Sequence, residues 1–318
     1  MSRRGWLLFS VMSAIWGIPY LFIKIALEGV SAPFLVFART AIAAAILMPL
    51  ALRRGLIRPA LRAWRPLLAF AALEIGGPWL LLGDAEQHIS SSLAGLLIAA
   101  VPLISTLVTW RLGDHTVLDP RRLLGLLVGV AGVAAVVGLD VGNASPAHMT
   151  EVLLVAVGYA IAPIIADRRL ADVPTLAVLS LALAAVAVVY LPAAVFSHPH
   201  SLPHANVVAA ILVLGLVCTA SAFLLFFELI AEVGPVRSTI ITFINPAVAV
   251  LLGMVVLSER FTVGVAVGFP LVLAGSWLST HKSTAPESAG ERERMAELVA
   301  EPVPLVEELV EGEVAGNR

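Results

Sequence analysis

The sequence predicts an all-α integral membrane protein: ten transmembrane helices arranged as two inverted five-helix repeats, followed by a disordered cytoplasmic C-terminal tail. Three observations predict it. Ten long apolar stretches run along the chain, arginine-rich connectors alternate with connectors that have almost no basic residues, and landmarks of the first half recur in the second.

The apolar stretches set the class. Of 318 residues, 59% are hydrophobic and 13% charged, whereas a soluble domain has roughly a quarter of its residues charged. Candidate spans cover 6–28, 33–52, 66–83, 92–112, 121–139, 150–167, 174–196, 206–231, 236–257 and 261–280. Most reach or approach the roughly 17–25 residues that a helix needs to cross the hydrocarbon core. Strand-period alternation is absent, which argues against an outer-membrane barrel. The opening Met1-Ser2-Arg3-Arg4 imitates a secretory signal, but its apolar run continues past Trp16 and Pro19 without a small-residue cleavage site, so it reads as a retained first helix. The single cysteine, Cys218, falls in the eighth span and leaves no intramolecular disulfide to form.

Orientation follows from the connectors. With the N-terminus inside, the inner connectors carry Arg3, Arg4, Arg53, Arg54, Arg58, Arg62, Arg65, Arg111, Arg121, Arg122, Arg168, Arg169 and Arg237, and the outer connectors carry only Arg260. The reverse orientation would put that basic excess outside, against the rule that Lys and Arg stay in the cytoplasm. Both termini are therefore expected to be cytoplasmic.

The halves 6–139 and 150–280 correspond, most closely in their last two spans. Val101-Pro102 matches Asn245-Pro246, Leu112-Gly113-Asp114 matches Leu257-Ser258-Glu259, and Gly125/Gly132 matches Gly268/Gly275. Gly17 against Gly158, Pro33 against Pro174 and Asp84 against Glu228 agree more loosely. Five is an odd number of spans, so the second copy must lie upside down, and the charges obey: the connector between spans two and three is rich in Arg, while its counterpart 197–206 has none. Inverted repeats of this kind accompany a midplane site exposed alternately to each side. The expected domains are 1–140, 150–280 and an acidic tail, 281–318. The tail's nine Glu and its Pro286, Pro302 and Pro304 predict disorder, with a short helix around 291–300.

These residues resemble the EamA-like exporters of the drug/metabolite transporter superfamily. The likeness covers about residues 6–280. It rests on WGIPYLFIKIALEG (16–29), Phe37-Ala38-Arg39 and SSLAGLLIAAVPL (91–103) in the first half, and on GPVRSTIITFINPAVAVLLGMVVLSERFTVGVAVG (234–268) in the second. Two places depart from the family pattern. Asp114-His115 stands where Glu-Arg is usual, and AFAALEIGGPWLLLGDAEQH (69–88) is unlike the general third span. The resemblance implies a secondary transporter, an exporter of small metabolites or drugs by alternating access, in a bacterial cytoplasmic membrane. Its partners would be a small-molecule substrate, protons and the lipid bilayer, with no cofactor and no nucleic acid. The alternative is a membrane-embedded enzyme acting on lipid-linked substrates through Asp114, His115, Asp119 and the cytoplasmic arginines; it lacks a clear nucleophile or metal cage.

Glu74 is the sharpest site candidate, set mid-span before Gly76-Gly77-Pro78. An acid at that depth costs about 2.5–3.5 kcal/mol on insertion scales and usually faces a bundle interior or cavity. It is expected to bind protons or a cationic substrate, and proton antiport through Glu74 is the preferred energy source, with facilitated diffusion as the alternative. Its structural alternative is a neutral Glu bonded to carbonyls freed at the Pro78 kink. Lys24 and Arg39 are the basic residues within spans, about 6 Å and 10 Å from the outer helix ends. Either they present positive charge to an outward-facing cavity, or they snorkel to the interface, with Lys24 pairing Glu28.

Trp16, Gly17, Pro19 and Tyr20 form an aromatic, helix-weakening cluster that suits an amphipathic substrate or simple packing. Pro102 and Pro246 free backbone carbonyls for a gate, and Asn245 adds an amide beside the second. The remaining motifs read more simply. His198, His200 and His204 offer three imidazoles in one outer connector without a clear fourth ligand, so no metal site is expected there. Asp119-Pro120 is a helix start. Gly125/Gly129 and Gly264/Gly268 are helix-packing faces. No Walker sequence is present, which argues against ATP-driven pumping by this chain alone.

Overall fold

The computed structural model describes residues 2–112, 120–140, 146–199, 201–233 and 241–280. Asp114, His115, Asp119, His200, Arg237 and the tail 281–318 lie outside the described residues. Those that are described are helical, with no strand among them. The helices are α1 (Arg3–Gly17), α2 (Pro19–Ala26), α3 (Ala32–Arg53), α4 (Ile57–Arg62), α5 (Trp64–Ala71), α6 (Gly77–Glu86), α7 (Ser91–Ile98), α8 (Val101–Arg111), α9 (Pro120–Asp140), α10 (Pro146–Arg169), α11 (Thr175–Phe196), α12 (Ala205–Leu212), α13 (Ala222–Val233), α14 (Ile241–Val256) and α15 (Val263–Thr280). Two π-helical segments, Ala72–Gly76 and Val213–Ser221, join α5 to α6 and α12 to α13.

Seven described stretches are long and apolar enough to cross a membrane: Arg3–Ala26, Ala32–Arg53, Trp64–Glu86, Ser91–Arg111, Pro146–Arg169, Thr175–Phe196 and Ala205–Phe226. Two shorter apolar helices, Ile244–Val256 and Val263–Leu278, accompany them. α9, absent from both groups, has 21 residues. The arginine connector after α3, read as a plain connector, contains the short helix α4.

Helix starts follow capping chemistry. Ser2, Ser31 and Ser90 each accept a hydrogen bond from the backbone N–H three residues on, at Gly5, Phe34 and Leu93, which satisfies one of the orphan donors of a first turn. Prolines shape the interior in two ways. Pro19, Pro78 and Pro102 stand in the first two positions of α2, α6 and α8, where a missing N–H costs nothing, so each opens a new segment, Pro78 directly after a π-helical turn. Pro246 instead lies inside uninterrupted α14. The two prolines matched by sequence therefore behave differently. At the first break the Ser276 hydroxyl donates to Ala99 O at 2.9 Å, holding a carbonyl that an unbroken helix would use. Beside Pro246, the Asn245 amide nitrogen, turned to donate, reaches Ser13 O at 3.2 Å and Ile241 O at 2.9 Å, which ties α14 to itself and to α1.

α9 and α15 make the most extensive helix pair, and α3 packs broadly on α11. The first pair closes backbone to backbone: a Cβ added at Gly275 would stand 2.3 Å from Gly129 N and 2.6 Å from Gly125 O. Backbone cannot move aside as a side-chain tip can. Gly275→Ala is expected to destabilise the protein by about 2 kcal/mol or more, in the range of overpacked cores, read as a lower unfolding temperature in detergent; an unchanged melt would contradict this packing.

Polar contacts gather where the charge pattern predicts the outside. Ser31 Oγ, at the start of α3, donates to Ser197 Oγ after α11 at 2.8 Å. Glu259, after α14, accepts from the N–H and hydroxyl of Ser91 (2.7 and 2.9 Å) and from the N–H and hydroxyl of Ser92 at the start of α7. A carboxylate there meets both orphan N–H groups and the positive end of the helix dipole. Ser258, at φ 53°, turns the chain so that Glu259 can reach back. Glu259→Ala is expected to cost about 2 kcal/mol, as for lost charge-assisted hydrogen bonds, and a thermal melt within experimental error of the parent would refute the cap. At the start of α1, Arg4 pairs with Glu228 of α13 at 2.8 Å on an exposed surface.

Candidate functional site

Buried hydroxyls in this protein mostly bond within their own helix: Ser13 to Phe9 O, Thr40 to Val36 O, Thr106 to Pro102 O. Their polarity is met locally. The buried charged side chains of α3 and α6 are not so simply met, and they define the candidate site.

Arg39 sits in the first third of α3 with 8% of its surface exposed, so it does not snorkel. Its Nε donates to Thr219 Oγ1 at 2.9 Å, and its guanidinium carbon stands 3.6 Å from the centroid of the Trp79 ring. Among the described residues no carboxylate comes within salt-bridge distance of Arg39. A hydroxyl and an aromatic face carry a charge that normally requires an anion. The π-helical turn explains why Thr219 is in place. Its hydroxyl donates to Leu214 O, five residues back, at 2.8 Å, in register with the widened turn, while accepting from Arg39. Such insertions recur at functional sites.

The other π-helical segment, Ala72–Gly76, carries Glu74. The Tyr190 hydroxyl on α11 donates to Gly76 O at 3.0 Å, covering a carbonyl where the helix changes pitch. Glu74 Oε2 is buried without a partner. α6 then leads to Glu86, which is 0% exposed and has neither carboxylate oxygen partnered. Lys24 stands over the end of this helix. Its Nζ donates to the backbone carbonyls of Glu86 and, at 2.8 Å, Ile89, the place where a cation best meets a helix dipole. The Lys24–Glu28 pair envisaged from sequence does not form; Lys24 holds the end of α6, and Glu86 turns inward.

Tyr20, one turn before Lys24, lies within Coulombic range of Glu86, Arg39 and Tyr159. Tyr159 on α10 lies beside Trp79 and in Coulombic range of Glu74, Arg39 and Glu86. Of the residues chosen from sequence, Tyr20, Lys24 and Arg39 thus come together, and Glu74 joins through Tyr159. Pro19 and Pro78 shape the helix breaks on two sides. Trp16 does not join: it packs against Phe226, with ring centroids 4.7 Å apart, and edge-on to Phe223. Asn245 bonds the backbone of α1, and Pro102 stands at the break that Ser276 holds.

Sequence reasoning missed Glu86, Trp79, Tyr159 and Thr219. Glu86 lay three residues past the end assigned to the third span and looked like a connector acid. Tyr159 adjoins Gly158, already matched to Gly17, and that adjacency was the available signal. Thr219 and Trp79 had none, since their roles depend on Arg39. Chemically, the site offers a buried guanidinium for an anionic group, a buried carboxyl for a proton or a cationic group, and Tyr20, Trp79 and Tyr159 as aromatic walls.

Comparison with known proteins adds two kinds of finding. The pattern of the EamA-like transporter family matches residues 3–138 and again residues 149–280. An uncharacterized transporter of Archaeoglobus fulgidus is 25% identical over 295 residues, covering 89% of this chain and 99% of that protein. The uncharacterized inner membrane transporter YedA of Escherichia coli is 26% identical over 246 residues, 75% of this chain and 78% of its own. A protein crystal structure superposes with a TM-score of 0.61 at 22% identity, over 88% of this chain and 97% of that one, a likeness of fold.

Proposed function

Since this chain belongs to the EamA-like transporter family and is a multi-pass membrane protein, we propose that it is a secondary exporter of small metabolites or drugs, working by alternating access in a bacterial cytoplasmic membrane. In this reading ten transmembrane helices form two inverted five-helix repeats, with both termini in the cytoplasm. The twofold family match supports the repeat. The arginine-rich connector between spans two and three, whose counterpart 197–206 has no Arg or Lys, supports inversion.

The observation that carries the reading is the buried guanidinium of Arg39, held by Thr219 and Trp79 with no carboxylate at salt-bridge distance among the described residues, and within Coulombic range of the unpartnered carboxyl of Glu86. Charges are kept at such depth when they serve a substrate or ion path. Arg39 binds an anionic group of the substrate, the aromatic rings line its body, and Glu86, with Glu74 beyond Tyr159, takes the counter-transported proton. Glu86 replaces Glu74 as first candidate for the carrier because both of its oxygens lack partners. Rocking of one repeat against the other would open the Glu259 contacts with Ser91 and Ser92 on one side and Arg4–Glu228 on the other.

Sealed proteoliposomes test this. A metabolite that accumulates in cells lacking the chain should cross the membrane chemically unchanged, at a rate set by an imposed pH gradient. Chemical conversion without net movement would overturn the reading in favour of an enzyme.

A further inference from the structure

We propose that Asp84, His88 and His148 form a site for a zinc-class divalent transition metal that bridges the end of α6 to the start of α10. One ligand atom from each of the three side chains lies within 4.8 Å of the others. Asp84 and His88 are four residues apart and share a helical face. The His88 and His148 rings stack with centroids 3.8 Å apart and planes 8° from parallel, which sets their nitrogens side by side.

Two details point from this juxtaposition to a ligand. His88 Nδ1 lies 3.1 Å from Asp84 O. A ring N–H donated to a carbonyl leaves Nε2 as a free lone pair, the outer-sphere arrangement that orients metal-binding histidines. His148 Nδ1 is buried with no hydrogen-bond partner, so an imidazole nitrogen is left unsatisfied beside the His88 ring. Two imidazoles and a carboxylate form a donor set that suits zinc and its neighbours, whereas calcium and magnesium prefer oxygen alone. Zinc bonds of about 2.0–2.2 Å require the three donors to close by roughly an ångström, within the reach of side-chain rotation at a helix end.

The site is distinct from the connector HPHSLPH that the sequence brought forward. There His198 Nδ1 lies 3.1 Å from Pro199 O, and among the described residues the converging ligand atoms are those of Asp84, His88 and His148. α6 and α10 belong to different copies of the family match, 3–138 and 149–280. A bound ion would therefore fasten one half to the other, at the end where Glu259 and Ser31 make their cross-helix bonds. The binding site does not depend on the transport reading and stands or falls on its own test.

The test uses the full chain, purified in detergent without a polyhistidine tag, titrated with zinc chloride and separately with cobalt chloride. One zinc per chain is expected at micromolar concentration. Cobalt should give visible d–d bands that zinc abolishes, and zinc should raise the unfolding temperature by several degrees. His88→Ala and His148→Ala should each weaken zinc binding at least about tenfold and remove the thermal shift; Asp84→Asn, which conserves volume, gives a further variant should either alanine variant fold poorly. A protein carrying both His198→Ala and His204→Ala should bind as the parent does. The proposal is overturned if binding is not saturable, or if it survives loss of both His88 and His148.

Discussion

Arg39→Lys is expected to reduce transport at least about 30-fold while the protein still folds and reaches the membrane. The substitution keeps the charge and removes the geometry. Arg39 bonds Thr219 through Nε while its plane lies 3.6 Å from the Trp79 centroid; a lysine ammonium is a single point on a flexible stem and cannot make both contacts while also facing a substrate. A buried cation–π contact is worth up to about 2 kcal/mol and a charge-assisted hydrogen bond about 1.5–3 kcal/mol. At about 1.4 kcal/mol per tenfold, losing 2 kcal/mol of grip already gives the stated reduction. Initial rates in proteoliposomes, normalised to inserted protein, measure it. Parental rates for Arg39→Lys would show that only the charge matters, and parental rates for Arg39→Ala would remove Arg39 from the site.

Glu86→Gln is expected to separate stability from function. The substitution conserves volume and takes no hydrogen bond away, because neither oxygen has a partner, and it removes a carboxyl whose charged form is costly to bury. The unfolding temperature should therefore hold or rise. Transport driven by a pH gradient should fall at least about tenfold and lose its dependence on that gradient, since an amide cannot carry the proton. Glu74→Gln should act in the same direction with a smaller effect, from a position on the far side of Tyr159 in the proposed path. The reverse order, with Glu74→Gln abolishing coupling and Glu86→Gln retaining it, would return the carrier role to Glu74.

The helices were legible because membrane crossing imposes a length and an apolarity that local sequence must satisfy; the break at Pro19 and the start at Ser31 were legible because proline and serine act on neighbouring backbone. Arg39 and Lys24 stood out because charge is rare in such segments. The π-helical turns were not legible. A turn of Leu, Val and Ala has no local reason to widen at Thr219, and the position becomes intelligible only with Arg39, 180 residues away in sequence. Glu86 was passed over for the opposite reason: it lies beyond the third candidate span among the polar Asp84, Gln87 and His88, and only the packing of α2 and α10 on α6 buries that helix end. Trp16 and Asn245 show the limit of residue type as a guide, since an aromatic ring or an amide within a span serves helix packing as readily as a ligand.

The glycine seam between α9 and α15 has a mechanical consequence for the proposed cycle. Where Gly275 meets Gly129 and Gly125 there is no side-chain layer to shear, so the final helices of the two repeats cannot slide without separating main chain from main chain. They form a fulcrum. Relative motion of the halves would be least there and would grow with distance from it, largest at those contacts, such as Glu259 on the start of α7, that consist of a few hydrogen bonds and can be remade at every turnover.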